Sequence, residues 1–561
     1  MTLTTYFDAV DAAEAEAAGA AGVAIDNTGL AVLQTLRGYG VDTVFGIPGT
    51  HNLEFYRHLS RLGIHAVTSR HEQGAGYAAD GWAQRTGLPG VVITTSGPGL
   101  LNALSAAGTA YCESRPLIIL SPGVALGAEF ADVGTLHETK DATAASGAIV
   151  EWSRRVATAA EAVQAVHDAF AMFRTGRPRP VHIEVPLDVL EGAADVPAAD
   201  REPRPHPGFT LADDALIAQA AQILAGASRP AIIAGGGSTR AAASLTALAE
   251  RLGAPVVTTL NGKGVVPESH PLAVGAELRL EAARDVVNGC DALLIVGAKI
   301  GEAELWGGVI QPDAPVIRID ILASQGHKNV ASDLVLVGHA QAVVPQLLQA
   351  VGAGSTPAWA DLDAVRLACA EEAAEFNALT ALAARAIAAT LPRDAVVAGD
   401  SSQITYLGMA SAVRQDEPHA FLYTPAYATL GYGLPAAIGA AVAESSRGAA
   451  ARPVVCVVGD GALMFAVQEF ATAVEQRLDL MVVCYDNGGY AEIQQNELDR
   501  GIPAIGVQLA QPDWAALADA FGARGWRVRS ADELDGVVSR AARAGGVNLV
   551  HVPSHLFEPH I

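Results

Sequence analysis

At 561 residues the chain is too long for one hydrophobic core, and about 150 residues per domain predicts three or four domains, of which three is the reading adopted. Half of the residues are apolar while only 5% are aromatic, the balance found in close-packed α/β proteins. A formal net charge of -24 argues against nucleic acid or an anionic membrane surface as the main partner, and no apolar run is long enough to span a bilayer.

Residues 1–27 are Ala-rich and acidic and read as an N-terminal arm, for which helix and disorder both stay open. The first basic residue is Arg37, so the opening lacks the positive region of a signal peptide, and a cytoplasmic location is the expectation. Five cysteines, none in a CxxC pair, suit a reducing compartment. Short Val/Ile/Leu runs then alternate with Ala/Leu-rich helical stretches, the pattern of parallel sheets covered on both faces. Strands are predicted at 91–95, 117–120 and 181–185 in a first domain, 28–190, and at 231–234, 292–296 and 316–319 in a central one, 210–350. Those at 395–398, 454–458, 481–485 and 547–552 belong to a C-terminal domain, 365–555. Pro, Gly and polar residues at 195–213 and 351–360 read as linkers. The expected fold class is therefore α/β, with three doubly wound parallel-sheet domains.

The chemistry-bearing segments also follow the chain. GIPGTHNLEFYR carries His51, RHEQGAGYAADG carries Glu72, and GTLHETKDA carries His137. In the central domain Gly235-Gly236-Gly237 follows a strand, but no acidic ribose partner lies at a convincing spacing, and this domain is read as structural. AGDSSQ brings Ser401 and Ser402 to a strand end, where hydroxyls and N–H groups at a helix N-terminus suit diphosphate oxygens. The strand VVCVV runs into Gly459-Asp460-Gly461, and MVVCY runs into Asp486-Asn487-Gly488-Gly489-Tyr490, with Asn487 lying 27 residues beyond Asp460. One helix, 464–476, fills the interval, so both strand ends open at the same carboxyl edge. Magnesium takes oxygen ligands, and Asp460, the amide oxygen of Asn487 and the backbone carbonyl of Gly489 supply three.

Together these segments resemble the thiamine diphosphate-dependent decarboxylase and acetohydroxyacid synthase superfamily, whose cofactor motif is GDG, a crossover, then NN. The resemblance covers nearly the whole chain and implies thiamine diphosphate and Mg2+ as cofactors. Asn487 matches the metal-ligating second Asn, and Asp486 replaces the first. Glu72 matches the glutamate that shares a proton with the cofactor's pyrimidine ring, a role that requires a buried carboxyl group. Leu430, in ATLGYGLPAAIGAA, matches the apolar wedge that keeps the cofactor bent; Ala428, Gly459, Gly461, Ala462 and Tyr490 complete the expected cofactor contacts. Because Glu72 and the metal site come from different domains, the resemblance implies active sites at a subunit interface in a homodimer or homotetramer.

The acetohydroxyacid synthases carry Phe-Gln-Glu in a loop where this chain has Leu136-His137-Glu138, and VGAELRLEAA stands where they have a GMHG-type segment, so FAD is not expected. His137 and His51 are the expected proton carriers. Within the superfamily, GIPGTHNLEFYR, RHEQGAGYAADG, GTLHETKDA and AGDSSQ, with GYAEI and RGIPAIGVQLAQPDW, most resemble the 5-guanidino-2-oxopentanoate (2-ketoarginine) decarboxylases. The expected reaction converts a 2-oxo acid to an aldehyde and CO2. Glu492 is the first candidate partner for a guanidinium, with Asp400 and Glu138 behind it. The alternatives are an acetolactate synthase-like carboligase and an inactive relative acting as a binding partner; retention of Glu72, Asp460 and Asn487 speaks against the last.

Overall fold

A computed structural model describes residues 25–558, so residues 1–24 of the expected arm lie outside the described residues. The described residues form three six-stranded sheets, in which all neighbouring strands pair in parallel. In the first, the spatial order is His65–Thr68, Thr43–Gly46, Gly90–Ile93, Leu117–Gly123, Val181–Pro186, Trp152–Arg155. The central sheet runs Leu334–Val337, Val316–Asp320, Ala292–Val296, Pro230–Ala234, Val256–Thr258, Ala273–Gly275. The third runs Phe421–Leu422, Val396–Gly399, Val454–Gly459, Leu480–Asp486, Val547–Pro553, Arg524–Arg527. Central strands such as Val454–Gly459 are buried along their whole length, because helices cover both faces. Each Val, Leu or Ile sequestered there contributes roughly 1.5–3 kcal/mol.

The first and third sheets share a core, whereas the central sheet packs around its own. The junction is made by helices Glu72–Thr86 and Gly433–Ser445, which touch along their backbones. A Cβ at Gly81 would lie 2.1 Å from the Ala436 carbonyl oxygen, and one at Gly439 1.8 Å from that of Ala78, so only glycine permits the approach. A buried Arg85–Glu444 ion pair at 2.6 Å closes one end of the crossing. The helix that begins with Glu72 is thereby fixed to the C-terminal domain of its own chain.

Both linkers are fastened rather than free. Arg201, buried in the first, pairs with Asp26 at 2.9 Å and with Gln34 at 2.7 Å, which ties down the end of the expected arm. In the second, Trp359 donates its indole N–H to the Pro230 carbonyl at 2.8 Å.

His182 gives the fold an acid-sensitive point. It is fully buried between Ser121 (2.7 Å) and Ser153 (2.8 Å), and burial pushes its pKa from 6.5 down to about 3. The folded protein keeps this ring neutral, while the unfolded chain takes up a proton once the pH drops below 6.5. The stabilisation is thus fully present above pH 6.5 and lost as pH falls towards 3. Urea titrations should show this residue alone removing roughly 1.4 kcal/mol per pH unit in that window. A His182→Gln variant, weaker at pH 7, should lose less on acidification, and parallel acid slopes would rule the histidine out as the cause.

Candidate active site

Strands Val454–Gly459 and Leu480–Asp486 are neighbours in register, with Gly459 opposite Tyr485, so their carboxyl ends open side by side. Asp460 begins the helical turn Asp460–Leu463, and the predicted helix over 464–476 starts only at Glu469. The residues between them form turns that leave Met464 and Phe465 exposed. Asp460 is buried; its Oδ1 accepts the Asn487 backbone N–H at 3.4 Å, while its Oδ2 is enclosed without a hydrogen-bond partner. Burial, reinforced by the neighbouring Asp486, pushes this carboxyl up to about pKa 6. Asn487 donates its side-chain N–H to Gln403 Oε1 at 3.3 Å and keeps its amide oxygen for another partner. Gly489 has φ +133°, and a Cβ there would lie 2.3 Å from the Val507 carbonyl oxygen, so no other residue fits.

An orphaned buried carboxylate oxygen, an amide oxygen and a backbone carbonyl at one sheet edge form a hard donor set suited to magnesium. Among the described residues no group of three His, Cys, Asp or Glu side chains offers a competing metal site. Asp486, the departure from the family pattern, is engaged elsewhere: it accepts the Gly488 N–H at 3.1 Å and lies 2.9 Å from His551 Nε2. The extra acid is therefore held against a histidine.

Ser401, Ser402, Ala428 and Leu430 line one cavity of about 270 Å³ together with Gly459, Asp460, Gly461, Ala462, Asn487, Gly489, Tyr490 and Glu492. Ser402 Oγ accepts the Gly459 N–H at 3.1 Å, joining two of the cavity's loops. The segment after Ser402 winds as a π-helical turn, Ile404–Met409, a distortion often found at functional sites.

The three acids weighed for a guanidinium have different fates. Asp400 is buried and accepts N–H groups from Ser401, Gly431 and Gly433 at 2.8–3.1 Å, so it knots the loop before the cavity to the turn carrying Leu430. Glu138 is spent on its own loop, accepting from the Val133 and Gly134 N–H groups and the Thr135 hydroxyl. Glu492 is exposed at the cavity's edge in the first turn of helix Ala491–Asp499, where Gln403 (2.9 Å) and Asn496 (3.2 Å) donate to it.

Glu72 lies at the carboxyl edge of the first sheet, buried at the start of its helix, and its Oε2 accepts from Asn102 at 3.0 Å. It is not among the residues lining the Asp460 cavity. The loop before it is held by Glu469 of the C-terminal domain, which accepts the Arg70 and His71 backbone N–H groups at 3.0 Å. At the same edge His51 Nδ1 lies 2.6 Å and His137 Nδ1 3.4 Å from the hydroxyl of Ser96. Sequence reasoning missed Ser96, Asn102, Gln403 and Glu469. The first two lie within TTSGPGLLNAL and Gln403 ends AGDSSQ, but nothing local marks Glu469 as a partner of residues 398 and 399 positions away.

A second cavity, about 1230 Å³, lies where the three domains meet and is lined by Arg115, Arg177, Gly236, Lys299 and Asp320 among others. It exceeds the first in size, yet none of the expected cofactor residues borders it. Gly236 and Gly237 of the central glycine run face this space.

Comparison with known proteins identifies the family of all three domains. Residues 26–145 match the family model described as thiamine pyrophosphate enzyme, N-terminal TPP binding domain; residues 217–347 match the central domain and 403–552 the C-terminal TPP binding domain. The chain is 37% identical over 534 residues to the "Probable 2-ketoarginine decarboxylase AruI" of Pseudomonas aeruginosa, covering 93% of each chain. It is 31% identical to the acetolactate synthase isozyme 3 large subunit of Escherichia coli, covering 91% of each. The X-ray structure of a provisionally assigned thiamin diphosphate-dependent enzyme from Mycobacterium smegmatis superposes with a TM-score of 0.78 at 26% identity, over 94% of this chain and 99% of that one. With all three domain models matched in chain order and a relative this similar along nearly its whole length, the chain belongs to the thiamine pyrophosphate enzyme family and is a thiamine diphosphate- and magnesium-dependent enzyme of the decarboxylase and acetolactate synthase superfamily.

Proposed function

We propose that the enzyme decarboxylates a 2-oxo acid to an aldehyde and CO2, with 5-guanidino-2-oxopentanoate as its substrate. When bound, thiamine diphosphate supplies a nucleophilic carbon for the 2-oxo carbonyl and an electron sink for the departing CO2. Asp460, Asn487 and Gly489 would hold the cation, Ser401 and Ser402 the diphosphate, and Leu430 the bend between the rings. Glu72 would hold the proton shared with the pyrimidine. His51 and His137 supply the proton that distinguishes an aldehyde product from carbon–carbon bond formation.

The observation that carries the substrate is Glu492. Of the three candidate acids it alone keeps an exposed carboxylate at the cavity's edge, where a guanidinium would find a charged acceptor. The name of the Pseudomonas relative points the same way. The assembly we propose is a homodimer or homotetramer with sites at the interface. It is supported by the absence of Glu72 from the lining of the Asp460 cavity and by exposed apolar side chains in two loops of the site-bearing domains: Phe130 and Val133 (72% each) in the loop that carries His137, and Ile505 (68%) in the segment after Glu492.

A panel of 2-oxo acids assayed for CO2 and aldehyde tests the reading. 5-Guanidino-2-oxopentanoate should be preferred over pyruvate, benzoylformate and branched-chain acids. Glu492→Gln should reduce that preference by roughly 10–100-fold, the worth of a charge-assisted hydrogen bond. Preference for a neutral acid would remove the guanidinium, and acetolactate formed from pyruvate without added flavin would favour the carboligase.

A further inference from the structure

The order of the first sheet places three side chains at one point. Successive strands depart in opposite directions from the boundary between Thr43–Gly46 and Gly90–Ile93, and ligands of open α/β sheets bind at such a reversal. His51 follows the first of these strands, Ser96 follows the second, and His137 comes from the loop after Leu117–Gly123. The imidazole centroids are 5.2 Å apart with the rings inclined at 67°. His137 reaches this position with φ +61°, an uncommon backbone state for a residue with a side chain, which costs of the order of 1 kcal/mol. Glu72 stands on the same edge: its Oε1 would lie 3.1 Å from a Cβ at Gly99, three residues beyond Ser96.

A hydroxyl has one proton. Ser96 can donate to only one of the two Nδ1 atoms, at 2.6 and 3.4 Å, and a second hydrogen bond therefore requires the other ring to donate from its own Nδ1. The two neutral rings then hold opposite tautomers, one protonated at Nδ1 and the other at Nε2.

We infer that His51, Ser96 and His137 form a single proton relay serving the protonation that yields the aldehyde, an inference that rests on the two histidines being the proton carriers proposed above. A proton binds the bare Nε2 of one ring, and that ring's Nδ1 proton passes to Ser96 Oγ. The serine's own proton passes to Nδ1 of the second ring, whose Nε2 proton leaves for the acceptor. One proton enters and one leaves, nothing is oxidised, and both rings end neutral with their tautomers exchanged; the second ring's Nε2 then takes a proton from water, the two inner protons pass back through Ser96, and the first ring's Nε2 proton leaves to water, which resets them. Burial and the neighbouring His137 lower the His51 pKa, against a weaker opposite pull from Glu191, which favours the neutral ring that the relay needs. Ser96 is a positioning and relay residue, buried beneath the half-buried histidines.

Two measurements on the holoenzyme test this. In mixtures of H2O and D2O, aldehyde formation should give a bowed proton inventory, the mark of several protons in flight. Ser96→Ala should lower kcat by roughly 10²-fold or more with little change in KM and should straighten the plot, whereas Ser96→Thr, which keeps the hydroxyl, should restore both. Independently of turnover, ¹⁵N spectra of histidine-labelled protein should show the two rings in opposite tautomers in the parent and in Ser96→Thr, but not in Ser96→Ala. An unchanged kcat and bowed plot in Ser96→Ala, or identical tautomers in the parent, would overturn the relay. If His51→Gln and His137→Gln both leave aldehyde formation unchanged, the histidines are not the proton carriers and the parent reading fails. If they slow it while Ser96→Ala does not, only the relay fails.

Discussion

Replacing Glu72 with glutamine is expected to cut CO2 release by roughly 10²–10⁴-fold, the usual worth of a group that handles a proton in the rate-limiting chemistry. Glutamine keeps the volume of the side chain and an oxygen that can still accept from Asn102, now 3.0 Å from Glu72 Oε2. It cannot hold a proton in common with a ring nitrogen. The structural cost is small: Glu72 opens its helix, and losing a negative charge from a first turn costs about 0.3–1 kcal/mol. The diagnostic is therefore the disproportion between the two effects. Turnover and urea unfolding measured on the same preparation should show activity falling by orders of magnitude while the unfolding midpoint moves slightly. Unchanged turnover removes Glu72 from the mechanism, and a collapse in stability would mean that its role is to hold the helix.

What could be read from the sequence depended on how many neighbours an element has. Strands enclosed on both sides, such as Val454–Gly459 and Ala292–Val296, must be apolar throughout, and they stand out as Val/Ile/Leu runs. Edge strands carry no such demand. Trp152–Arg155, reading WSRR, and Arg524–Arg527, reading RGWR, have a single partner each and look like loops until the sheet is assembled. The helix predicted over 464–476 begins only at Glu469, because the chain first winds the short turn Asp460–Leu463 that presents Asp460, Gly461 and Ala462 to the cavity and then turns again before the helix starts.

The site divides in the same way. Gly459 through Ala462 and Asn487, Gly489 and Tyr490 are legible because one crossover fixes their spacing, and they line one cavity. Partners that arrive from a distant strand are not. Nothing near Asp400 in the sequence shows that it spends its carboxylate on the N–H groups of Gly431 and Gly433, 31 and 33 positions away, and Glu138, though its partners Val133 and Gly134 are close by, turns back on them only through a loop conformation that no motif marks. Acids with free lone pairs and acids that knot a loop have the same letters.

Asp460→Asn should separate function from stability, because the two effects are expected to have opposite signs. The parent carboxylate is buried, has an oxygen without a hydrogen-bond partner, and faces a second acid at Asp486, so without a cation it burdens the fold. Its pKa is raised from 3.8 to about 6, so above pH 6 it is ionised in both folded and unfolded chains and the full penalty is present; below 3.8 it is protonated in both and the penalty vanishes. At pH 7 asparagine should stabilise the cofactor-free protein by of the order of 1–3 kcal/mol, less whatever its amide N–H loses by burial without an acceptor. Calorimetric titration with thiamine diphosphate in magnesium should show the reverse. Affinity should fall by more than the roughly 10–100-fold that removal of an outer-shell partner costs a metal site, since a charged ligand itself is gone. The gain in stability should shrink as the pH is lowered towards 4, because protonation relieves the parent of the same burden. A variant that binds the cofactor as tightly as the parent would take Asp460 out of the metal site, and one that is destabilised at pH 7 would mean that its carboxylate is held by interactions other than a cation.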